Sequence, residues 1–351
     1  MKLENFSNFV DKGAFGIWRY EKLFRTEYVK EKFNLEQEMS PLERREDLGE
    51  MFGIKNLYLK REDLNVLGSF KTRSLAYQIS VYKSLGEKIL VISSSGNAAI
   101  CAARYCDLAQ IKLICFISPD TDLGKKAILS QTKALIIESK KAMRLANYVS
   151  AKYKISNLRP SIDDLSLRGF ESLAYEIYEQ IENANLEARI GIRAFSFITS
   201  GSSFVGMYNG FKKLKDLGFL EQMPRMCGVV GERELESERR ELEFARSKGV
   251  GALGVKKTRR MEEILKIAEE TGGSIHEVSR ADVDIVSRQC LDMSEQVSEE
   301  SLAVLSVLQK EKNLENVIAI MSGRKWETSG SLKAFLRVES FEEADQIILN
   351  L

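Results

Sequence analysis

The sequence predicts an α/β protein of two lobes, each a mostly parallel sheet flanked by helices. Short apolar and β-branched runs alternate along the chain with segments whose apolar residues recur at the spacing of one helix face. Strands that are separated by helices form parallel sheets covered on both faces. The length of 351 residues also suggests two or three lobes rather than one small domain.

The first half of the chain opens with a mixed, charged stretch over residues 1–37 and a turn at Ser40-Pro41-Leu42. A short helix from Arg44 to Met51 is predicted to end at Gly53. The next strand is Leu57–Arg61, and a helix follows from Lys71 to a C-cap at Gly86. Further strands are predicted at Ile89–Ile92, Ile111–Ile117 and Ala134–Glu138, and further helices at Ala98–Cys106, Asp122–Thr132, Ala142–Tyr153 and Gly169–Ile181.

The second half repeats this alternation. Glu232–Lys248 is dense in charge and is predicted to be a solvated helix. The other predicted strands are Ala194–Thr199, Met226–Gly231, Ser274–Val278 and Val317–Met321, and the other helices are Phe204–Leu214, Met261–Glu270, Ala281–Met293 and Glu299–Lys310.

These elements suggest three regions. Residues 1–37 form an N-terminal extension, 38–325 the core, and 326–351 a C-terminal tail.

Composition excludes several classes of function. The net charge of +1 gives no electrostatic reason to expect nucleic acid or an anionic membrane as a partner. No apolar run is long enough to cross a bilayer, and the N-terminus lacks the apolar core of a signal peptide. The single histidine, His276, argues against a serine–histidine triad and a histidine-rich zinc site. The five cysteines form no close metal-binding pair, which predicts reduced thiols, no metal and a cytoplasmic protein.

One lysine stands out from the other charged residues. Lys71 lies in Gly68-Ser69-Phe70-Lys71-Thr72-Arg73, between a predicted strand and a predicted helix. Partial burial at such a transition favours the neutral form of an amine, and only a neutral amine can attack a carbonyl to form a Schiff base. A solvated surface lysine is the ordinary alternative.

Three polar turns follow other predicted strands. Ser94–Asn97 and Thr199–Ser203 each precede a helix, whose first N–H groups favour a carboxylate or a phosphate. Ordinary helix capping explains such serines equally well. Ser322 follows the last strand and could either bond a ring nitrogen or simply end a strand. Because ligands bind at the carboxyl ends of parallel strands, these turns and Lys71 could converge on one cleft.

The stretch from Asn65 to Arg73 resembles the lysine motif of the tryptophan-synthase-β-like (fold type II) pyridoxal-phosphate enzymes, whose usual form is Asn-Pro-Thr-Gly-Ser-Phe-Lys-Asp-Arg. Gly16–Tyr20 and the turn at Ser40 resemble the threonine synthases within that family. The resemblance implies a pyridoxal phosphate (PLP) cleft between two lobes of the core. It implies a smaller lobe of about 75–180 and a larger lobe that combines 38–74 with 181–325. Other stretches similar to family segments are Ser94–Ala99, Gly169–Ile177, Thr199–Ser203, Asn209–Leu214 and Ile320–Gly323.

The resemblance also implies roles for single residues. Lys71 would hold the cofactor as an internal aldimine and later remove the substrate α-proton. The substrate carboxylate would bind to Ser94, Ser95 and Gly96. The cofactor would be contacted by Phe70 at its ring, Asn97 at its phenolic oxygen, Thr199, Ser200, Gly201, Ser202 and Ser203 at its phosphate, and Ser322 at its pyridine nitrogen.

The chain departs from the family pattern at several positions. Val66, Leu67 and Thr72 replace the usual proline, threonine and aspartate, and Ser202 and Ser203 stand where glycine or asparagine is usual. Glycine permits positive φ and close backbone approach, so this loop is expected to bind phosphate differently. Basic residues for a substrate phosphate are not fixed by alignment, and Arg168, Lys60 and Arg73 are the candidates.

The implied activity is that of a threonine synthase-like lyase, which converts O-phospho-L-homoserine and water to L-threonine and phosphate. One alternative is another enzyme of the same family, a threonine or serine dehydratase or a β-replacing synthase. A second alternative is a diverged, non-catalytic member that binds an amino acid or a protein partner. The family also suggests a homodimer.

Overall fold

The computed structural model describes residues 5–24, 26, 29–184, 191–231, 258–326 and 335–350, which divide into two compact units. The first unit draws on the described parts of residues 1–39, 65–172 and 326–351, and the second on the described parts of residues 40–64 and 173–325. The chain therefore passes between the units four times. The sequence-based division differs, because it places 65–74 in the larger lobe and treats 1–37 and 326–351 as flanking segments.

The first unit is built on a parallel sheet that has four strands in the described residues, in the order β10-β5-β4-β3. β4 is buried at every position from Leu113 to Ile117, so both faces of this strand are covered. The strands are β3 (Ile89–Ser93), β4 (Lys112–Ile117), β5 (Leu135–Glu138) and β10 (Leu336–Arg337). The helices are α2 (Lys71–Ser84), α3 (Asn97–Ala109), α4 (Leu123–Leu129), α5 (Ala142–Tyr153), the first part of α6 (Leu165–Asn183) and α12 (Phe341–Leu349).

Two parts of the first unit come from outside its central sequence. Val91, Ile114 and Phe116 on the sheet pack with Leu145 of α5 and Ala344 of α12 in one core. The N-terminal segment adds 3-10 helices at Phe6–Phe9 and Gly16–Leu23, and its Trp18 ring stacks on Tyr77 of α2 with centroids 6.1 Å apart. Apolar burial therefore attaches both ends of the described chain to this unit.

The second unit contains a sheet with six described strands in the order β1-β2-β9-β6-β7-β8, and only β1 runs antiparallel to its neighbour among them. The strands are β1 (Leu42–Arg44), β2 (Asn56–Lys60), β6 (Arg193–Phe197), β7 (Arg225–Gly231), β8 (Ser274–Val278) and β9 (Asn316–Ile320). The helices are α1 (Glu46–Phe52), a 3-10 turn at Glu62–Leu64, the remainder of α6, α7 (Ser202–Asp216), α8 (Met261–Glu270), α9 (Arg280–Gln289), α10 (Leu291–Gln296) and α11 (Glu299–Lys310).

One long core fills the space between this sheet and α11. Leu305 of α11 is fully buried among Phe195, Val229 and Val317, which come from three different strands. Burial of apolar side chains at this density is the main favourable term in folding.

The predicted helices and strands that fall on described residues are present, with ends shifted by a few residues. The predicted helix Ala281–Met293 is wrong as a single element, because Cys290 has a non-helical backbone (φ −114°, ψ 64°) and separates α9 from α10. The predicted helix Glu232–Lys248 lies outside the described residues. In the part of the chain that the structure describes, no helix combines the length and apolar character of a membrane span.

Helices α6 and α2 make a close backbone contact at Gly169. A Cβ placed on Gly169 would lie 2.2 Å from the carbonyl oxygen of Arg73 and 2.6 Å from the Cα of Ser74. Both neighbours are backbone atoms, so only glycine allows this approach. The same contact buries Arg73 completely, and its guanidinium donates to the Ser172 hydroxyl at 3.1 Å.

We expect Gly169→Ala to lower the free energy of unfolding by about 3 kcal/mol, because the two backbones must separate. The midpoint of denaturant unfolding, followed by circular dichroism, would measure this loss. Gly231→Ala is the matched control, since its Cβ would meet only Phe197 Cζ at an ordinary 3.8 Å. Equal midpoints for the two variants would contradict the prediction.

Candidate functional site

Lys71 is the first residue of α2 and is half-buried. Its Nζ lies 4.7 Å from the ring centroid of Phe70 and 5.3 Å from that of Phe170. The two rings contact each other edge to face, with centroids 5.3 Å apart. The backbone contact at Gly169 places Phe170 here, because the two residues are adjacent on α6. The amine therefore sits against an apolar wall of the kind that a flat aromatic ligand needs.

The next helix passes close to the same amine. Burial raises the pKa of the Cys101 thiol on α3, and the positive charge of Lys71 partly opposes this rise. Cys101 lies one turn after Asn97, the first residue of α3. The structure thus brings Lys71 and the first turns of α3 together within the first unit.

The turn from Ser94 to Gly96 connects β3 to α3. The Ser94 hydroxyl accepts a bond from the Gly96 N–H at 3.2 Å, and the Ser95 hydroxyl accepts from the Ser118 N–H at 2.9 Å. Each hydroxyl therefore keeps its own proton for a further acceptor. The first N–H groups of α3 have no acceptor within the helix, and Gly96 provides no side-chain cap. This turn can bind a carboxylate.

Asn97 has a partner that the sequence did not indicate. Its side-chain oxygen Oδ1 accepts a hydrogen bond from the indole Nε1 of Trp326 at 2.9 Å. Both residues belong to the first unit.

Arg159 lies at the same end of the sheet as this turn. The segment before it runs parallel to β3: the Val91 N–H donates to the Ser156 carbonyl, and the Leu158 N–H donates to the Val91 carbonyl. In this register Arg159 is level with Ser93, the last residue of β3. The side chain is half-buried, burial lowers the pKa of its guanidinium, and no carboxylate among the described residues pairs with it. Sequence reasoning missed Arg159, because the absence of a partner depends on the fold.

The loop Thr199–Ser203 leads from β6 into α7 in the second unit. Gly201 has φ +80°, in the left-handed region, and its added Cβ would meet Ile264 Cδ1 at 2.4 Å. Ser202 and Ser203 are buried and already helical, so they need no positive φ and serine costs nothing there. Thr199 is exposed, and the Ser200 hydroxyl lies 3.3 Å from that of Ser202. Hydroxyls and the N–H groups of a helix N-terminus suit a phosphate.

A second segment supports this loop. The Thr258 hydroxyl donates to the Ser200 carbonyl at 2.6 Å, and the Cβ of Arg260 would lie 3.5 Å from a Cβ at position 201. Helix α8 begins directly after Arg260 and supplies Ile264. No motif identified Thr258 or Arg260, because the contact joins residues about sixty positions apart.

Ser322 follows β9, the neighbour of β6 in the second sheet, and is buried with 8% of its surface exposed. The Met321 N–H donates to the Lys60 carbonyl, and the Gly323 carbonyl accepts from the Ser298 N–H. These bonds fix the backbone on both sides of Ser322. Because β6 and β9 are parallel neighbours, Ser322 and the loop after β6 lie at the same edge of this sheet.

The three basic candidates from the sequence are engaged in contacts within their own units. Arg168 pairs with Glu171 at 2.9 Å and is 44% exposed. Lys60 is fully buried, and its Nζ donates to Glu176, Gln180 and the Ser40 carbonyl at 2.6–2.8 Å. Arg73 is buried against Ser172. A buried charge needs its partners, so Lys60 and Arg73 serve the interior of the protein.

The contacts of His276 and of the five cysteines indicate structural roles for these residues. His276 contacts the Ser274 hydroxyl through Nε2 at 2.6 Å and Glu311 through Nδ1 at 3.2 Å, and burial lowers its pKa although the Glu311 charge opposes this. Both ring nitrogens thus have partners, in line with a structural histidine. All five cysteines are buried, and they form no disulfides, in agreement with the predicted reduced thiols: Cys101, Cys106, Cys115, Cys227 and Cys290.

The residues present fit pyridoxal phosphate. The first unit offers an amine against aromatic rings and a turn that can bind a carboxylate, and the second offers a loop of hydroxyls whose Gly201 has a positive φ and would crowd Ile264 if it carried a side chain. An aldehyde, an aromatic ring and a phosphate are the groups that these donors would recognise.

Comparison with known proteins agrees with this chemistry. The chain is 28% identical over 221 residues to the threonine synthase of Methanosarcina acetivorans, a match that covers 62% of this chain and 53% of the relative. The chain spans about half the length of the curated relatives that it matches first.

Solved structures show the same fold. The T.th. threonine deaminase has a TM-score of 0.64 and 20% identity, covering 84% of this chain and 95% of that one. Maize serine racemase has a TM-score of 0.63 and 17% identity, covering 82% and 88%. The predicted α/β fold with helix-flanked, mostly parallel sheets is confirmed, and it is the fold of these type II enzymes.

A family model described as pyridoxal-phosphate dependent enzyme matches residues 34–323, which is most of the chain. Members of this family use pyridoxal 5'-phosphate, so the predicted cofactor is confirmed. The chain belongs to the pyridoxal-phosphate dependent enzyme family, and the threonine synthases are among its relatives.

Proposed function

We propose that the protein is a lyase of the threonine synthase type, which converts O-phospho-L-homoserine and water to L-threonine and phosphate. The observation that carries this proposal is the half-buried Lys71 at the start of α2, whose amine lies against Phe70 and Phe170. Similarity to threonine synthases supports the choice of reaction.

Bound pyridoxal phosphate would stabilise negative charge at the substrate carbon next to the amine. Lys71 would hold the cofactor and then carry protons to and from the substrate carbons, as a single amine base can. Phe70 would pack on the ring of the cofactor. Asn97 would donate to its phenolic oxygen, and Ser322 would contact its ring nitrogen.

Two backbone-rich turns would bind the anionic groups. Ser94, Ser95 and Gly96 would take the substrate carboxylate through N–H groups and the hydroxyl protons that remain available. The loop Thr199–Ser203 would take the cofactor phosphate, with Thr258 fixing the carbonyl of Ser200. Neither role needs a basic side chain.

For the substrate phosphate we expect a basic side chain, as the resemblance to threonine synthases implies, and Arg159 is well suited to this role. It lies at the carboxyl end of the first sheet, level with the end of β3, and no described carboxylate competes for it. Arg168 remains the sequence-based candidate, but its guanidinium is paired with Glu171. Arginine can bind a phosphate through two parallel N–H bonds.

The competing hypotheses share the fold with this proposal but differ from it in substrate or in activity. A threonine or serine dehydratase, or a β-replacing synthase, would use the same lysine and cofactor on a substrate without a phosphate. A non-catalytic member would lack turnover. A cytoplasmic homodimer is also part of the proposal, and it rests on the family resemblance and on the reduced cysteines.

The deciding experiment offers the PLP-loaded protein O-phosphohomoserine, threonine and serine separately. Phosphate release from the first without oxoacid from the others would support the proposal. Oxoacid formed from threonine or serine would favour a dehydratase, and no turnover of any amino acid would favour the non-catalytic hypothesis.

We expect Lys71→Ala to remove the visible absorption band of the bound cofactor and to lower kcat at least about 10³-fold, because the attachment point and the base are both lost. Borohydride followed by mass spectrometry should find the reduced adduct on Lys71 in the unmodified protein. Lys88→Ala, at an exposed lysine beyond the same helix, is the control. Substantial turnover by Lys71→Ala would disprove the role of Lys71.

We expect Arg159→Ala to raise KM for O-phosphohomoserine roughly 10- to 100-fold, because a charge-assisted bond to phosphate is lost. Arg168→Ala removes the same type of side chain from the same unit and should leave KM within about twofold. Steady-state kinetics measure both effects. The reverse pattern would assign the phosphate to Arg168.

We expect Gly201→Ala to weaken PLP binding roughly 10-fold, because a side chain disfavours positive φ and crowds Ile264. Gly53→Ala is the matched control: it also has positive φ in the second unit, but nothing lies within 4 Å of its added Cβ. Titration of the apo-protein with PLP gives both dissociation constants. Equal losses would show general backbone strain instead of an effect on the phosphate loop.

A further inference from the structure

The side chain of Asn97 is held by a residue far along the chain. The indole Nε1 of Trp326 donates to its oxygen Oδ1 at 2.9 Å, and both side chains are half-buried. The family resemblance assigns a role to Asn97 and none to Trp326.

The chemistry of the pair fixes the direction of the amide. An indole N–H can only donate, so it must meet the oxygen of Asn97 and not its NH₂ group. The two amide protons then point away from Trp326 and are available to an acceptor elsewhere.

Without this contact, Asn97 would have a competing partner. It begins α3, whose first N–H groups are uncapped by the side chain of Gly96. Asparagine oxygens at helix starts readily accept bonds from nearby backbone N–H groups. If the Asn97 amide rotated in this way, its NH₂ group would change direction. Its oxygen would also occupy backbone N–H groups that the Ser94–Gly96 turn needs to bind a carboxylate.

We propose that Trp326 is a positioning residue, which holds the Asn97 amide so that its NH₂ group faces an acceptor oxygen of the bound cofactor. This inference rests on the proposed role of Asn97 at the phenolic oxygen of PLP. A phenolic oxygen that has lost its proton is an acceptor, so only the correct amide orientation binds it.

The first test is a double-mutant cycle on PLP affinity, measured by titrating the apo-protein and following the visible band. Trp326→Phe keeps an aromatic ring but removes the donor, and it should raise the dissociation constant roughly 3- to 10-fold, the range for one neutral hydrogen bond. In an Asn97→Ala background the same substitution should change nothing further. An equal loss in both backgrounds would overturn the proposal, because it would show that Trp326 acts only on general packing.

The second test leaves Trp326 in place, so it does not depend on how its variants fold. The chain has two tryptophans, and ¹⁵N-tryptophan labelling therefore gives two indole N–H signals. Trp18 is an internal control, since its Nε1 donates to the Phe33 carbonyl at 2.9 Å. PLP binding, and separately Asn97→Ala, should shift the Trp326 signal and leave the Trp18 signal in place. An unmoved Trp326 signal in either experiment would overturn the inference.

These tests also separate this inference from the proposed reaction. Phosphate release from O-phosphohomoserine by the unmodified enzyme is measured in parallel. If that release is absent while the coupling between Trp326 and Asn97 is present, the proposed reaction fails and the positioning role stands. If release is normal and the coupling is absent, the positioning role alone fails.

Discussion

The contact of two backbones at Gly169 is the constraint on which the amine site depends. Helix α6 reaches α2 so closely that no side chain fits between Gly169 and the carbonyl of Arg73. This approach sets Phe170 against Phe70 and so builds the aromatic wall beside Lys71. It also closes Arg73 into the interior, where Ser172 accepts its hydrogen bond. The glycine at position 169 thus links the packing of the first unit to the position of the Lys71 amine.

The two turns that we propose as anion sites differ in kind from the buried cations of this protein. The turns at Ser94–Gly96 and Thr199–Ser203 offer hydroxyls and helix N-termini, which carry partial charge without a titrating group. Lys60, in contrast, is a full charge buried against Glu176, where it holds α6 to β2 within the second unit. Arg159 differs from both groups, because it is half-buried without a described carboxylate partner. That contrast is the reason for assigning it a role toward a substrate.

Much of the architecture could be predicted because its elements are locally encoded. α5, α8, β8 and α11 have the predicted bounds, since the apolar spacing that defines each of them lies within one short window. β1 has three residues and β10 has two, and runs this short show no detectable periodicity in the sequence. The lysine motif could be identified from the amino-acid sequence alone. The partners of Asn97 and Ser200 could not be identified in this way. Trp326 and Thr258 lie far from them along the chain, and no local sequence pattern indicates such contacts.

The pairing of β10 with β5 has a consequence for the order of synthesis. Leu336 sits opposite Ile137, so one edge of the first sheet gains its last partner only after the whole second unit has left the ribosome. Until then the backbone groups on that side of β5 are unpaired, and open strand edges invite association with other chains. Non-local pairing of this kind also slows folding. During synthesis the protein can therefore associate with other chains through this edge of β5, which β10 covers in the complete fold.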